Sequence, residues 1–239
     1  MAKPRTEWTP HPHDPIEMLA ENLWWVRAPV PGISINRTMT LVRLDDGRIV
    51  IFNAVALEEA AMKTIEGWGT PAFLIVPGAG HRLDGAAFKK RYPNLKIYTP
   101  VGARKAVEQA VPLDGVLQDF PRDPMVSLQP VAGIKDKEGV MLVKSADGTS
   151  VVVNDIIFNM ELPKDFFGRN IVKLLGSAPG VRVSRIVKMF YCDDKAAFRA
   201  DLEKLSKIPD LVRLIVGHDS VAHGPAARAG LESAAQQVS

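Results

Sequence analysis

The spacing of apolar residues alternates between the strand period and the helix period along this chain, and that alternation limits the folds open to it. The first apolar segments predict strands over residues 23–26, 37–43 and 48–53. Asp45-Asp46-Gly47 separates the last two segments. It is typical of a β-hairpin turn, because Asp and Gly tolerate positive φ. The first block is therefore predicted to be a meander of short strands.

The helical period enters next. The spacing predicts helices over residues 57–67 and 84–91, with Asp84 as the N-cap of the second. Strands are predicted over residues 72–76 and 96–99. Because a helix between two strands requires a crossover connection, this block predicts parallel strand pairs.

The second half of the chain repeats this plan. Strands are predicted over residues 126–131, 139–144 and 150–154, and a broken apolar connection over 158–177. A helix, a strand and a helix follow over residues 195–206, 211–217 and 225–238. Two such halves predict an α/β (α+β) fold, a four-layer αββα sandwich of two mixed sheets with helices outside. A doubly wound parallel sheet is the alternative. That fold has fewer consecutive hairpins than this sequence indicates.

The N-terminal segment differs in composition from the rest. Its first 15 residues contain four prolines, which disfavour both helix and central strand. Residues 1–20 are therefore predicted to form an extended arm. Residues 21–239 are predicted to form one domain, since single α/β domains often reach about 200–250 residues.

Composition and charge exclude several functional classes. Hydrophobic residues make up 46% and charged residues 24%, which indicates a folded chain rather than a disordered one. A net charge of +3 is too small to indicate a nucleic-acid partner. No apolar run approaches the roughly 20 residues of a membrane span, so no membrane partner is expected. A single cysteine, Cys192, and an N-terminus unlike a signal peptide favour a cytoplasmic location.

Four stretches of sequence carry a resemblance to a known family. They are residues 44–50 (Leu-Asp-Asp-Gly-Arg-Ile-Val), residues 75–100 around Gly-Ala-Gly-His, residues 154–158 (Asn-Asp-Ile-Ile-Phe) and residues 216–218 (Val-Gly-His). Together they resemble the metallo-β-lactamase superfamily. The resemblance implies an αββα sandwich with an H-x-H-x-D-H loop that binds one or two metals, usually zinc or iron. Such a metal lowers the pKa of a bound water toward neutrality.

Most positions that this family uses as metal ligands hold other residues here. The family's loop histidines fall at Gly78, Gly80 and Leu83, its loop aspartate at Arg82, and its mid-chain histidine near Lys135. Asp155 and His218 match the bridging carboxylate and the final histidine. The fixed charge of Arg82 would also repel a divalent cation. The resemblance thus implies that the ordinary two-metal site is absent.

One subgroup of the superfamily, described only as a domain of unknown function, resembles the chain further. Its members have an opening tryptophan segment, here Leu23-Trp24-Trp25. They also have a degenerate metal-binding motif in which the loop histidines are shifted. His81 matches one of those shifted histidines, and Arg82 stands where a second usually follows.

Seven residues are predicted to line a cleft at the ends of the strands: Gly78, Gly80, His81, Arg82, Asp84, Asp155 and His218. His81, Asp155 and His218 are the catalytic candidates. His81 is a ligand or general base beside Asp84, or an ordinary loop histidine. Asp155 is a metal ligand, or the ion-pair partner of Arg82 or His218. His218 is an acid–base group, or it only holds its loop.

Other residues give weaker indications. His11 and His13 lie in the proline-rich arm, where a surface position is expected and binding of a stray metal is the alternative. The pairs Trp24-Trp25 and Phe166-Phe167 either pack in the core, which is the commoner case for aromatic residues, or line a pocket.

Three functions follow from these observations as alternatives. In the first, a degenerate and metal-free site without a cofactor binds a small molecule or a partner and does not hydrolyse it. The second is a hydrolase of esters, lactones or thioesters, with one zinc or iron ion held by His81, Asp84, Asp155 and His218. The third is an interaction or structural protein with an inert cleft. Because a catalytic zinc takes about three protein ligands, the hydrolase requires at least three of those side chains to meet.

Overall fold

Two β-sheets pack face to face at the centre of the structure, a computed structural model that describes residues 3–238. The first sheet has seven strands in chain order: β1 (Glu17–Ala20), β2 (Leu23–Pro29), β3 (Asn36–Arg43), β4 (Arg48–Phe52), β5 (Thr70–Ile75), β6 (Lys96–Thr99) and β7 (Gly115–Val116). Neighbours from β1 to β4 are antiparallel, and those from β4 to β7 are parallel. The first two residues of the predicted arm, and Ser239, lie outside the described residues.

The second sheet has five strands. The remaining strands of the chain are β8 (Val126–Pro130), β9 (Gly139–Ser145), β10 (Gly148–Val152), β11 (Phe158–Met160), β12 (Gly180–Arg182), β13 (Leu211–Ile215) and β14 (Val221–His223). The sheet runs in the order β14-β13-β10-β9-β8, and β10 and β13 form its parallel pair. The strands β11 and β12 form a separate antiparallel ribbon.

Helices cover the outer faces of both sheets. The described part of the chain has six α-helices: α1 (Glu59–Trp68), α2 (Gly85–Arg91), α3 (Arg104–Glu108), α4 (Phe166–Leu175), α5 (Lys195–Ser206) and α6 (Pro225–Gln237). The first three pack on the first sheet, and α5 and α6 pack on the second. A third apolar cluster fills the space between the sheets, where Phe52 and Met141 belong to one core. The predicted four-layer αββα sandwich is confirmed.

The connection between β11 and β12 is more regular than the sequence predicts, since α4 runs uninterrupted through Gly168. The predicted arm is also shorter than expected. Residues 17–20 form β1, which pairs with β2 at the edge of the first sheet, so the arm ends at residue 16. No helix within residues 3–238 is long and apolar enough to cross a bilayer.

The N-terminal arm is fixed to the first sheet by buried contacts. The indole Nε1 of Trp8 donates to the backbone oxygen of Leu57 at 3.0 Å, and its ring packs on Phe88 with centroids 4.9 Å apart. His11 is only 4% exposed, which corrects the expectation that it lies at the surface. The reason is that His11 is a partner of a buried carboxylate.

That carboxylate belongs to Asp84, which is 1% exposed. Its Oδ2 atom lies 2.6 Å from Arg37 Nη2 and 3.2 Å from His11 Nε2, and accepts the backbone N–H of Ala56 at 3.3 Å. Burial by itself would raise the pKa of Asp84. The hydrogen bond from His11 and the charge of Arg37 outweigh that effect and lower the pKa.

Asp84 therefore serves the fold, and its predicted place beside His81 is corrected. The carboxylate is fully occupied by Arg37 and His11, so it belongs to no shared ligand group with His81. Asp84 stands at the N-cap position of α2, but its side chain makes no capping hydrogen bond there.

Replacing Arg37 with Met tests how much the buried pair of Arg37 and Asp84 contributes to the stability of the fold. The Asp84 charge then loses its main partner, and we expect the free energy of unfolding to fall by about 3–5 kcal/mol. Urea unfolding of Arg37→Met and of the double variant Arg37→Met/Asp84→Leu measures this. The double variant should recover most of the loss, because no unpaired charge stays buried. A loss below about 1 kcal/mol in Arg37→Met would contradict this account.

Candidate functional site

Three of the predicted site residues meet at one point. The Nε2 atoms of His81 and His218 lie 3.0 Å and 2.9 Å from the same oxygen, Oδ1 of Asp155. One possible ligand atom from each residue falls within 4.8 Å of the others. Within residues 3–238 this is the one group of at least three His, Cys, Asp or Glu side chains arranged to hold a metal ion.

The topology of the two sheets explains this meeting. His81 lies in the loop after β5, Asp155 follows β10, and His218 follows β13. Both β4–β5 and β10–β13 are parallel pairs, so these loops emerge at carboxyl ends of strands, where α/β sites are usually built. Gly217, the residue before His218, packs against Asn154, the residue before Asp155. Only glycine fits there, since a Cβ atom on residue 217 would lie 2.2 Å from Oδ1 of Asn154.

Each histidine is oriented through its second ring nitrogen. Nδ1 of His218 lies 2.6 Å from the backbone oxygen of Asn36, and because a carbonyl only accepts, that nitrogen carries the proton. Nδ1 of His81 lies 3.3 Å from Oδ1 of Asn53. Metal-binding histidines are commonly held in this way, with the remaining nitrogen turned toward the ion.

Asn36 and Asn53 are absent from the residues that the sequence singles out. Asn53 has a positive φ of 64° directly after β4, is buried, and donates from Nδ2 to the backbone oxygen of Thr38 at 2.7 Å. A polar residue at the carboxyl end of a buried strand was the signal that could have identified it.

Glu138 supports Asp155 from behind. Its carboxylate accepts the backbone N–H groups of Asp155 and Ile156, each at 3.2 Å. Burial, and then the nearby charge of Asp155, raise the pKa of Glu138 well above its ordinary value. Glu138 Oε1 also lies 3.6 Å from where a Cβ atom on Gly78 would stand. Glu138 thus occupies space beside the position that resembles the family's first loop histidine.

The charges of the cluster depend on one another. Burial alone would raise the pKa of Asp155, but the charge of His81 and the hydrogen bonds from His218 and His81 lower it strongly. For His218, burial lowers the pKa, but the hydrogen bond and charge of Asp155 and the carbonyl of Asn36 raise it overall. In the absence of another cation, Asp155 is therefore favoured as a carboxylate and His218 as an imidazolium.

The cluster forms part of the wall of a cavity of about 740 Å³. Most of the other lining side chains are apolar, and they include Val30, Ile35, Leu83, Met160, Phe167, Ile171, Val172, Leu175 and Val187. The ring of Phe158 stacks on His218, with centroids 5.1 Å apart and planes at 12°. Burial, with the charges of Asp155 and Glu138, raises the pKa of the lining residue Tyr191 to about 12.

The other predicted cleft residues divide into two groups. Gly80 lines the cavity with the three clustered residues, whereas Gly78, Arg82 and Asp84 do not. The guanidinium of Arg82 donates to the backbone oxygen of Ala106, and it lies 3.4 Å from Oε1 of Gln109. The interpretation of Asp155 as the partner of Arg82 is therefore wrong, because His81 and His218 hold that carboxylate.

The two aromatic pairs that the sequence singles out differ in burial. Trp24 and Trp25 are buried in the core, and Trp24 stacks on Trp68 with centroids 3.9 Å apart. Phe166 and Phe167 are 74% and 78% exposed, so a core position for them is wrong. Of the residues of α4 only Val172 is buried, and Phe167 lines the cavity, which is the alternative for this pair.

Comparisons with solved structures give the fold a name. No family model matches the sequence, and no curated protein matches it. A crystal structure of the metallo-β-lactamase DIM-1 exposed to ceftazidime superposes with a TM-score of 0.65 at 12% identity, covering 97% of this chain and 100% of that one. Another DIM-1 structure gives a TM-score of 0.61 at 13% identity, with coverages of 96% and 100%. The chain therefore has the metallo-β-lactamase fold, as its sequence predicts.

Removing the Glu138 carboxylate tests its supporting role. Glu138→Ala leaves the backbone N–H groups of Asp155 and Ile156 without acceptors and opens space where the buried Glu138 side chain lay. We expect the free energy of unfolding to fall by about 2–4 kcal/mol. Denaturant unfolding measures the loss, with the exposed Glu161→Ala as a matched control that should change it by less than about 0.5 kcal/mol. Equal effects of the two substitutions would exclude a supporting role for Glu138.

The pKa shifts predict how the stability of the metal-free protein depends on pH. The raised pKa of His218 gives stability that is complete below about pH 6.5 and is lost as the pH rises through the folded-state value. The lowered pKa of Asp155 gives stability that is present above about pH 3.9 and is lost on acidification below it.

Asp155→Asn should therefore destabilise the metal-free protein more at about pH 6 than at about pH 9. Urea unfolding in the presence of a chelator at the two pH values measures the difference. The exposed Asp193→Asn is the control and should show no such trend. A destabilisation by Asp155→Asn that stays constant over this range would contradict the assignment of the pair.

Proposed function

We propose that this chain is a metal-dependent hydrolase with one divalent cation, zinc or iron, held by His81, Asp155 and His218. One observation carries the proposal: three side chains from three separate loops direct possible ligand atoms to one point in the wall of a cavity. Both histidines direct Nε2 to that point, while their Nδ1 atoms are held by Asn36 and Asn53.

The donor set suits such an ion. Two imidazole nitrogens and one carboxylate are a ligand set that catalytic zinc accepts while keeping one position open. The same combination also binds ferrous iron in other proteins. Arg82 faces away toward Ala106, so its fixed charge does not compete with a cation at the cluster. A cation would also balance the Asp155 carboxylate in place of an imidazolium.

When bound, the metal would supply a water molecule whose pKa is lowered toward neutrality. The protein's own residues orient the two histidine rings and supply a hydrogen-bond donor in the cavity wall. Asn36 and Phe158 fix the ring of His218, and Asn53 fixes that of His81. Tyr191, with its pKa of about 12, stays protonated at neutral pH and remains a hydrogen-bond donor.

The apolar cavity favours a substrate with an apolar group beside a hydrolysable carbonyl. Esters, lactones and thioesters belong to this class, and an apolar wall excludes water from the bound substrate. DIM-1 is named a β-lactamase, so a β-lactam belongs in the same panel of test substrates.

A metal-free binding protein is the second candidate, and one observation favours it. Both Nε2 atoms already lie at hydrogen-bonding distance from Asp155 Oδ1, which balances the partly buried carboxylate charge without any ion. In that case the cavity would hold an apolar small molecule and release it unchanged.

Metal content and turnover distinguish the two candidates. Protein purified without added metal should contain about one zinc or iron per chain by mass spectrometry. It should also hydrolyse acyl esters or thioesters. His218→Ala should lose the metal and at least about 100-fold in kcat/KM, because only two ligands remain.

His223→Ala is the matched control, since this exposed histidine of β14 lies outside the cluster. It should keep both metal and activity. A folded protein that binds no zinc or iron and hydrolyses none of the panel would contradict the hydrolase and leave the binding protein as the better account.

A further inference from the structure

A group of exposed apolar side chains lies on the segments of chain that line the cavity. Within residues 3–238 ten large apolar side chains are exposed. Eight of them form what is called here the apolar rim: Ile33, Phe166, Phe167, Ile171, Leu174, Ile186, Met189 and Phe190. Four of the eight also line the cavity. The rim is therefore continuous with the cavity wall, and clustered apolar surface of this kind marks an interaction site.

The helix α4 contributes half of the apolar rim. Phe167, Ile171 and Leu174 follow each other at spacings of four and three residues, so they lie along one side of the helix. Their exposed fractions are 78%, 55% and 68%. An amphipathic helix normally turns such a side toward the core, and this one turns it outward.

The charge around the apolar rim is predominantly positive. Residues 161–190 contain six Lys and Arg and two Asp and Glu, a net charge of +4, whereas the whole chain carries +3. Arg169 and Lys173 on α4, and Arg182 and Arg185 beyond it, are exposed. In a symmetric contact between two copies these like charges would face each other, but they complement an anionic surface.

We propose that the apolar rim and its basic neighbours dock on an anionic lipid bilayer, with the mouth of the cavity facing the membrane. Outward Phe, Ile and Leu side chains beside Lys and Arg are the composition of helices that lie in the plane of a membrane interface. An apolar substrate would then enter the cavity directly from the bilayer. This docking does not depend on a bound metal, and it departs from the expectation, drawn from the sequence, that no membrane is a partner.

Flotation with lipid vesicles tests the proposal. Protein, both chelated and zinc-loaded, is mixed with vesicles of phosphatidylcholine alone or with phosphatidylserine. We expect both the chelated and the zinc-loaded protein to float with the phosphatidylserine vesicles. High salt should dissociate the protein from these vesicles, because it screens the charge attraction. Phe166→Ser/Leu174→Ser should lower the bound fraction at least tenfold, and neither residue lines the cavity.

Matched pairs separate the surface from general effects. Lys164→Glu/Lys173→Glu should also abolish binding. Lys204→Glu/Lys207→Glu, at the C-terminal end of α5 and directly after it, and Met18→Ser/Val101→Ser should keep it. Circular dichroism confirms that each variant is folded. Absence of flotation, or equal loss in the control pairs, overturns the proposal. A dimer in light scattering that Phe166→Ser/Leu174→Ser dissociates also overturns it, since a second copy then covers the rim.

Discussion

The candidate site depends on one negative charge, the carboxylate of Asp155, which is largely buried with 24% of its side chain exposed. Such a charge is costly away from water unless it is paired, and here two histidines from different sheets reach the same oxygen. His81 comes from the first sheet and His218 from the second, so the cluster joins the two halves of the sandwich. The neighbouring residues that hold the two rings and the backbone of Asp155 serve this single contact.

The same contact explains why two functions compete. A carboxylate shared by two imidazoles is a complete ion pair when one imidazole is protonated, and a three-ligand metal site when both are neutral. The orientation of both Nδ1 atoms away from Asp155 is compatible with either state. The proposal of a metal rests on the meeting of the three side chains in the wall of an apolar cavity, where a bound water and a substrate would meet.

The order of strands and helices could be predicted from the sequence because each period is a local property. His81, Asp155 and His218 could be named because the sequence around them resembles the metallo-β-lactamase superfamily, and because each follows a predicted strand. The partners of Arg82 and Asp84 could not, since they depend on how loops turn after the sheets assemble. Asp84 meets His11, which is 73 residues away in the chain. Glu138 was missed because its role is to accept backbone N–H groups, which leaves no motif.

The most direct test of the central claim is a ¹⁵N NMR spectrum of the five histidine side chains before and after zinc is added to chelated protein. The structure predicts that two of them, His81 and His218, change to the form with a metal at Nε2 and a proton at Nδ1. His11, His13 and His223 should keep their signals. Five histidines whose signals do not respond to zinc would contradict a metal site at Asp155.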